Sequence, residues 1–134
     1  MWTYEVTTGR MYSDNGEVIG VGYSGFGVHK NDPTADNIRG EGPIPEGHYT
    51  LMTPRDSVSH GPFAMPLLPD ADTRVRMMEL NRDPDSFLCH GDSFTHPGAA
   101  SEGCIIQSRD VREQLWNSGD HDLQVIAVVE HDSV

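Results

Sequence analysis

The chain has 134 residues, is 36 % hydrophobic and carries a formal net charge of −12, from 9 Lys+Arg against 21 Asp+Glu. That length fits one domain, residues 1–134, around one core. The acidic balance repels nucleic acid, and no apolar run approaches the roughly 18 residues of a membrane helix.

Met1 to Arg10 carries Glu5 and no apolar stretch. This predicts no secretory signal, so work outside the cytosol implies either a dedicated export machine or a leader removed ahead of this sequence. Trp2 to Thr7 alternates aromatic, β-branched and polar residues and reads as a strand. Asp14-Asn15-Gly16 is a hairpin signal, because Asn-Gly accepts positive φ, and Val18 to Tyr23 reads as the return strand. Gly20 and Gly22 permit close packing there. Ser24 to Gly42 is polar and glycine-rich and reads as a loop, followed by a strand over His48 to Thr53. Pro54 to Asp72 holds Pro54, Pro62, Pro66 and Pro69 and is expected to be irregular. Arg74 to Leu80 and Ser86 to His90 read as strands. One short helix is expected after Ser108, which can cap it; Asp110 lies in its first turn, Val111 and Leu115 share a face, and Gly119 closes it. Leu123 to Val129 is apolar enough for a central strand. The sum is a mainly β domain.

Two cysteines, Cys89 and Cys104, are too few for a disulfide scaffold and leave open one bridge, a metal site, a reactive thiol or two inert thiols. The stretch Phe87-Leu88-Cys89-His90-Gly91-Asp92-Ser93, then Ser101-Glu102-Gly103-Cys104-Ile105-Ile106, is the informative one. A strand delivers His90 to its end, and a turn of small residues presents Cys104 ahead of the helix. A thiol needs deprotonation to attack, and an imidazole can take that proton and return it to a leaving amine. Gly103 lets a carbonyl approach the backbone, where the Cys104 amide can meet a developing oxyanion. Spacing alone is equally met by an inert thiol and an ordinary histidine. Strand alternation turns Cys89 away from the face that His90 takes.

His90-Gly91 followed by Ser101-Glu102-Gly103-Cys104-Ile105 resembles the L,D-transpeptidase signature. Upstream, Gly42-Pro43-Ile44-Pro45-Glu46-Gly47-His48-Tyr49 resembles the turn that precedes it in that family. Tyr23-Ser24-Gly25, Asn31-Asp32-Pro33 and Gly40-Glu41-Gly42-Pro43 resemble the branch of L,D-transpeptidase effectors delivered by type VI secretion. The resemblance implies an L,D-transpeptidase-like β-sandwich with one short helix after the nucleophile turn. It implies Cys104 as nucleophile and His90 as base, with Ser101 and Gly103 framing the turn. Gly91, Asp92, Tyr23, Ser24 and Arg109 become the candidate substrate-binding residues. It further implies no metal or organic cofactor, a peptidoglycan stem peptide as substrate, an immunity protein and a secretion component as partners, and action in the periplasm of a target bacterium. Glu102 departs from the pattern: the cross-linking enzymes carry histidine there, and a carboxylate beside a thiol raises its pKa.

Other readings compete. Asp92 can orient an imidazole, bind a substrate amine or simply cap its turn, and His96 before Pro97 reads as a loop residue. Arg109 and Arg112 can hold a substrate carboxylate or serve as solvated helix charges. A zinc hydrolase would draw on His90, His96, Cys104 and Asp92, and a non-catalytic wall-binding module would need none of them. His29, His48, His60, His121 and His131 show no ligand spacing.

Overall fold

The structure, a computed structural model, describes residues 1–129; His131 lies outside the described residues. The mainly β expectation holds. Among the described residues ten strands join by hydrogen bonds: β1 (Trp2–Glu5), β2 (Arg10–Tyr12), β3 (Val18–Val21), β4 (Tyr23–Ser24), β5 (Gly47–Leu51), β6 (Arg55–Ser57), β7 (Gly61–Pro69), β8 (Leu88–His90), β9 (Ile105–Ile106) and β10 (Asp122–Ile126). Their spatial order is β3-β2-β1-β10-β5-β7-β8-β9-β4, with β6 paired to β7, so the strands join as a single sheet rather than two separate ones.

The Asn15-Gly16 turn closes the β2–β3 hairpin, with Gly16 at φ 81°. The last strand is central as its composition predicts: β10 runs parallel to β1 and antiparallel to β5. Tyr4, Met11, Leu51, Met65, Leu123 and Val125 fill the core beneath these strands, each such side chain contributing roughly 1.5–3 kcal/mol by leaving water.

Two segments depart from the sequence expectation. Arg74 to Leu80 is not a strand; it forms most of helix α1 (Ala71–Glu79) and its C-cap, so the described residues hold two α-helices rather than one. The alternation Arg74-Val75-Arg76-Met77 suggests a strand, but Asp70 accepts a hydrogen bond from the Thr73 amide (2.9 Å) and starts a helix that buries Thr73 and Met77, four residues apart. Pro54 to Asp72 is not irregular; it holds β6 and the nine-residue β7. Prolines lack the N–H but keep the carbonyl, and Pro66 O accepts from the Met52 amide at 2.8 Å. Two 3₁₀ turns, Gly27–His29 and Pro33–Ala35, punctuate the expected loop of 24–42.

Helix α2 (Arg109–Asn117) follows the sequence reading closely: the Ser108 hydroxyl accepts from the Val111 amide (3.3 Å), and Val111 and Leu115 are buried. Among the described residues no helix is long and apolar enough to cross a membrane.

Candidate active site

Parallel pairing of β8 and β9 sets the site. Cys89 lies opposite Ile105 and His90 opposite Ile106. Cys89 and Ile105 point into the core, 1 % and 0 % exposed. His90 and Ile106 turn to the other face, at the base of a groove of about 1220 Å³ whose walls include Tyr23, His60, Asp92, Arg109 and Arg112. Cys104 immediately precedes β9 and sits one step behind this pair, against the Leu88 backbone.

The turn that carries Cys104 is fastened by buried side chains. The Ser101 hydroxyl donates to Cys104 O (2.6 Å) and accepts from the amides of Gly103 (3.1 Å) and Gly25 (2.9 Å). The Ser24 hydroxyl donates to Gly103 O (2.8 Å) and accepts from the Ile44 amide (2.9 Å). Both serines are fully buried, so Ser24 braces the turn from behind and takes no place in the groove wall. Gly103 holds φ 135°, and a Cβ there would run into the Arg82 guanidinium and lie 2.8 Å from the Phe87 ring.

No motif or spacing in the sequence singles out Arg82. It is 5 % exposed and donates to four carbonyls: Nη1 to Asp36 (2.8 Å) and Pro43 (3.3 Å), Nη2 to Gly42 (3.1 Å) and Glu102 (3.2 Å). It therefore ties the long loop to the turn that carries Cys104. A planar fork with several donors does this where an ammonium would not.

The thiol of Cys104 is seated between two backbone groups. The Leu88 amide donates to Sγ (3.3 Å), and Sγ faces the Ser86 carbonyl at 3.9 Å. Burial pushes this thiol up to about 11; the Leu88 N–H acts in the other direction, and the Glu102 carboxylate raises it further. Both cysteines are free thiols. The Glu102 effect leads to a prediction. Glu102→Gln is expected to raise the rate of Cys104 alkylation by iodoacetamide at pH 8 by a few-fold, since a neighbouring carboxylate opposes the thiolate. Stopped-flow or mass-spectrometric rates on a Cys89→Ala background would check it, and an unchanged rate would sink the electrostatic account of Glu102.

His90 is 2 % exposed. Its Nδ1 donates to Gly91 O (2.8 Å), which fixes the tautomer, while Nε2 is buried and has no hydrogen-bond partner. Burial pushes its pKa down to about 4; the bond to Gly91 works against this, and the nearby His60 and Arg112 add to it. His90 is thus neutral at pH 7, with an open lone pair. The stability consequence has a definite sign. The unfolded imidazole takes up a proton below about 6.5 and the folded one only near 4, so stability falls as pH drops through that window, by roughly 3 kcal/mol in all. Urea midpoints measured from pH 7.5 to 4 are expected to fall less steeply in His90→Gln than in the wild-type chain.

Three neighbours complete the wall. The Tyr23 hydroxyl donates to Asp92 (2.6 Å) and accepts from the Ala100 amide (2.9 Å). Asp92 also accepts from the amides of Ser93 (2.8 Å) and Gly98 (3.1 Å). Its burial would raise its pKa, but these three donors hold it below the usual carboxylate range, so Asp92 closes the loop of 93–98 as a turn cap. His60, in the β6–β7 turn, has Nδ1 against the hydroxyls of Ser57 (3.1 Å) and Ser59 (3.0 Å), and its ring centre lies 4.7 Å from that of His90. No spacing in the sequence could have brought those two histidines together.

No hydrogen bond joins Cys104 to His90 among the described residues, and Cys104, Ser101 and Gly103 do not line the groove. Arg109 does, paired with Glu113 (2.9 Å) and stacked on Phe63 (4.6 Å). His90, His96, Cys104 and Asp92 are not gathered as a ligand set: among the described residues no group of three His, Cys, Asp or Glu could hold a metal ion.

A family model described as the Tlde1 domain matches residues 19–131. The curated proteins and the solved structures return no match to this chain.

Proposed function

The chain belongs to the Tlde1 domain family, a type VI secretion effector family of the L,D-transpeptidase type, and on that premise we propose that it trims and exchanges the ends of peptidoglycan tetrapeptide stems through a Cys104 thioester. The observation that carries the reading is His90: a neutral imidazole with its tautomer set by Gly91 O and a buried, unpartnered Nε2, on the strand beside the turn of Cys104.

Cys104 Sγ attacks the carbonyl of the L-centre of diaminopimelate, third in the stem. The thiol proton passes to His90 Nε2 and then to the amine of the departing D-alanine as the C–N bond breaks. Sγ must first turn from the Leu88 amide toward His90. The thioester is resolved by water, which leaves a tripeptide stem, or by the amine of a free D-amino acid, which gives an exchanged stem. Loss of normal donor stems weakens the wall of the recipient cell, so the site of action is its periplasm, and a producing cell needs an immunity protein. A surface of net charge −12 suits a basic partner in that role or in delivery.

Mass spectrometry of tetrapeptide muropeptides incubated with the protein, with and without D-methionine, tests this. Loss of one alanine, or its replacement by methionine, is expected. Intact stems in the presence of folded protein would remove the reading and favour a wall-binding module.

A further inference from the structure

Arg112 is 5 % exposed, yet the arginine ion pairs among the described residues involve Arg74, Arg76 and Arg109 and not Arg112. Its charge is met by neutral carbonyls instead. Nε donates to Gln107 O (3.0 Å) and Ser108 O (3.3 Å), and Nη1 donates to Pro62 O (2.9 Å) and Phe63 O (2.8 Å). Phe63 holds a left-handed φ of 55° where the last two carbonyls converge, a costly conformation for an aromatic residue. The guanidinium is therefore fixed in place from two sides.

The third nitrogen differs. Nη2 makes no hydrogen bond among the described residues and is not one of the enclosed, unpartnered atoms. It stands beside Gly91, where an added Cβ would lie 2.8 Å away, and Arg112 is part of the groove wall. A guanidinium removed from water without a counter-ion is an uncompensated charge, and one edge of this one is open to the groove. Arg109, the arginine that the sequence favoured, is already occupied by Glu113 and Phe63 and is about half exposed.

We infer that Arg112 Nη2, beside Gly91, seats a carboxylate in the groove: that of the D-amino acid ending the stem peptide, or that of a free D-amino acid acceptor. The inference rests on the stem-trimming reading. It adds to that reading the residue that measures where the chain of the substrate ends, because a D-alanine carboxylate held at a fixed guanidinium places the preceding amide near His90. A charge-assisted hydrogen bond of this kind distinguishes an acid from its amide by about tenfold.

The test is an NMR titration of the Cys104→Ala chain, which binds without turnover. The ligands are the stem tetrapeptide and its C-terminal carboxamide, and in a second arm D-methionine and D-methioninamide. The acid form is expected to bind about tenfold tighter than the amide, and to move the Gly91 amide and Arg112 Nε signals, in at least one arm. The arm that responds identifies whose carboxylate is held. The preference is expected to survive Arg109→Ala. Equal binding of acid and amide in both arms, binding of neither acid, or a preference lost with Arg109→Ala would each overturn the assignment. Muropeptide turnover without acid preference would defeat this inference alone; acid preference without turnover would defeat the trimming reading and leave the carboxylate seat standing.

Discussion

Cys104→Ala is expected to leave tetrapeptide stems intact under conditions where the wild-type chain trims or exchanges them, and His90→Ala is expected to slow the reaction by about 10²–10⁴-fold. The two losses have different origins. Alanine has no nucleophile, so no thioester forms. Without His90 the nucleophile remains, but it is a thiol pushed up to about 11 by burial, so its thiolate fraction at pH 7 is on the order of 10⁻⁴. Among the described residues the Leu88 amide is the single donor on Sγ, which is too little to replace a base. The neutral imidazole, held near 4 by burial, is ready to accept the proton across the physiological range. Cys89→Ala serves as the matched control. Cys89 faces the core at 1 % exposure, so its loss is expected to cost about 1 kcal/mol of stability and little turnover. The readout is the alanine released per enzyme by mass spectrometry. Undiminished turnover by Cys104→Ala would refute the thioester mechanism outright.

Gly103→Ala is expected to be the most destabilising single methyl group that can be added at the site, costing roughly 3 kcal/mol or more. Backbone strain is one part, because φ 135° is a conformation that side chains rarely adopt. Overlap is the other. The new Cβ would meet the Arg82 guanidinium, the Phe87 ring at 2.8 Å and Gly42 O at 3.2 Å. Arg82 cannot step aside without abandoning carbonyls of Asp36, Gly42, Pro43 and Glu102, each of which would then lack a buried partner. Gly119→Ala separates the two parts: φ is 79° there, with nothing within 4 Å of the added Cβ, so only about 1 kcal/mol of strain remains. Urea unfolding of both variants measures the difference. Equal losses would mean that Arg82 does not brace the turn.

What could be read in the sequence was local. The Asn15-Gly16 hairpin, the Ser108 cap and the buried stripe of Val111 and Leu115 each depend on residues a few positions apart, and each stands where expected. The central place of β10 followed from an apolar strand at the end of the chain. Family membership was legible for the same reason: the residues around His90 and Cys104, and the loop of 40–49, form contiguous motifs, and the family match over 19–131 agrees with them. The two misread segments had local signals that pulled both ways. Val75 and Met77 alternate as in a strand, yet Asp70 and Thr73 stand at capping distance; prolines in β7 discourage a ladder, yet their carbonyls still accept.

The sequence by itself determined the charge, the turn chemistry and the type of those elements whose local signals agree, since dihedral preference and capping act over a few residues. Only the tertiary structure decided which distant groups meet. Arg82 reaches from the end of α1 across to the turn of Cys104; His60 comes from a hairpin to lie against His90; Arg112 is held by the β7 backbone with one nitrogen left toward the groove. These contacts depend on strand order and on a sheet that brings β7, β8 and β9 side by side, a global arrangement on which no short spacing in the chain reports. Burial acts in the same way: it is the largest cause that sets the Cys104 thiol high and the His90 imidazole low, because desolvation is a property of the packed surroundings and not of the residue.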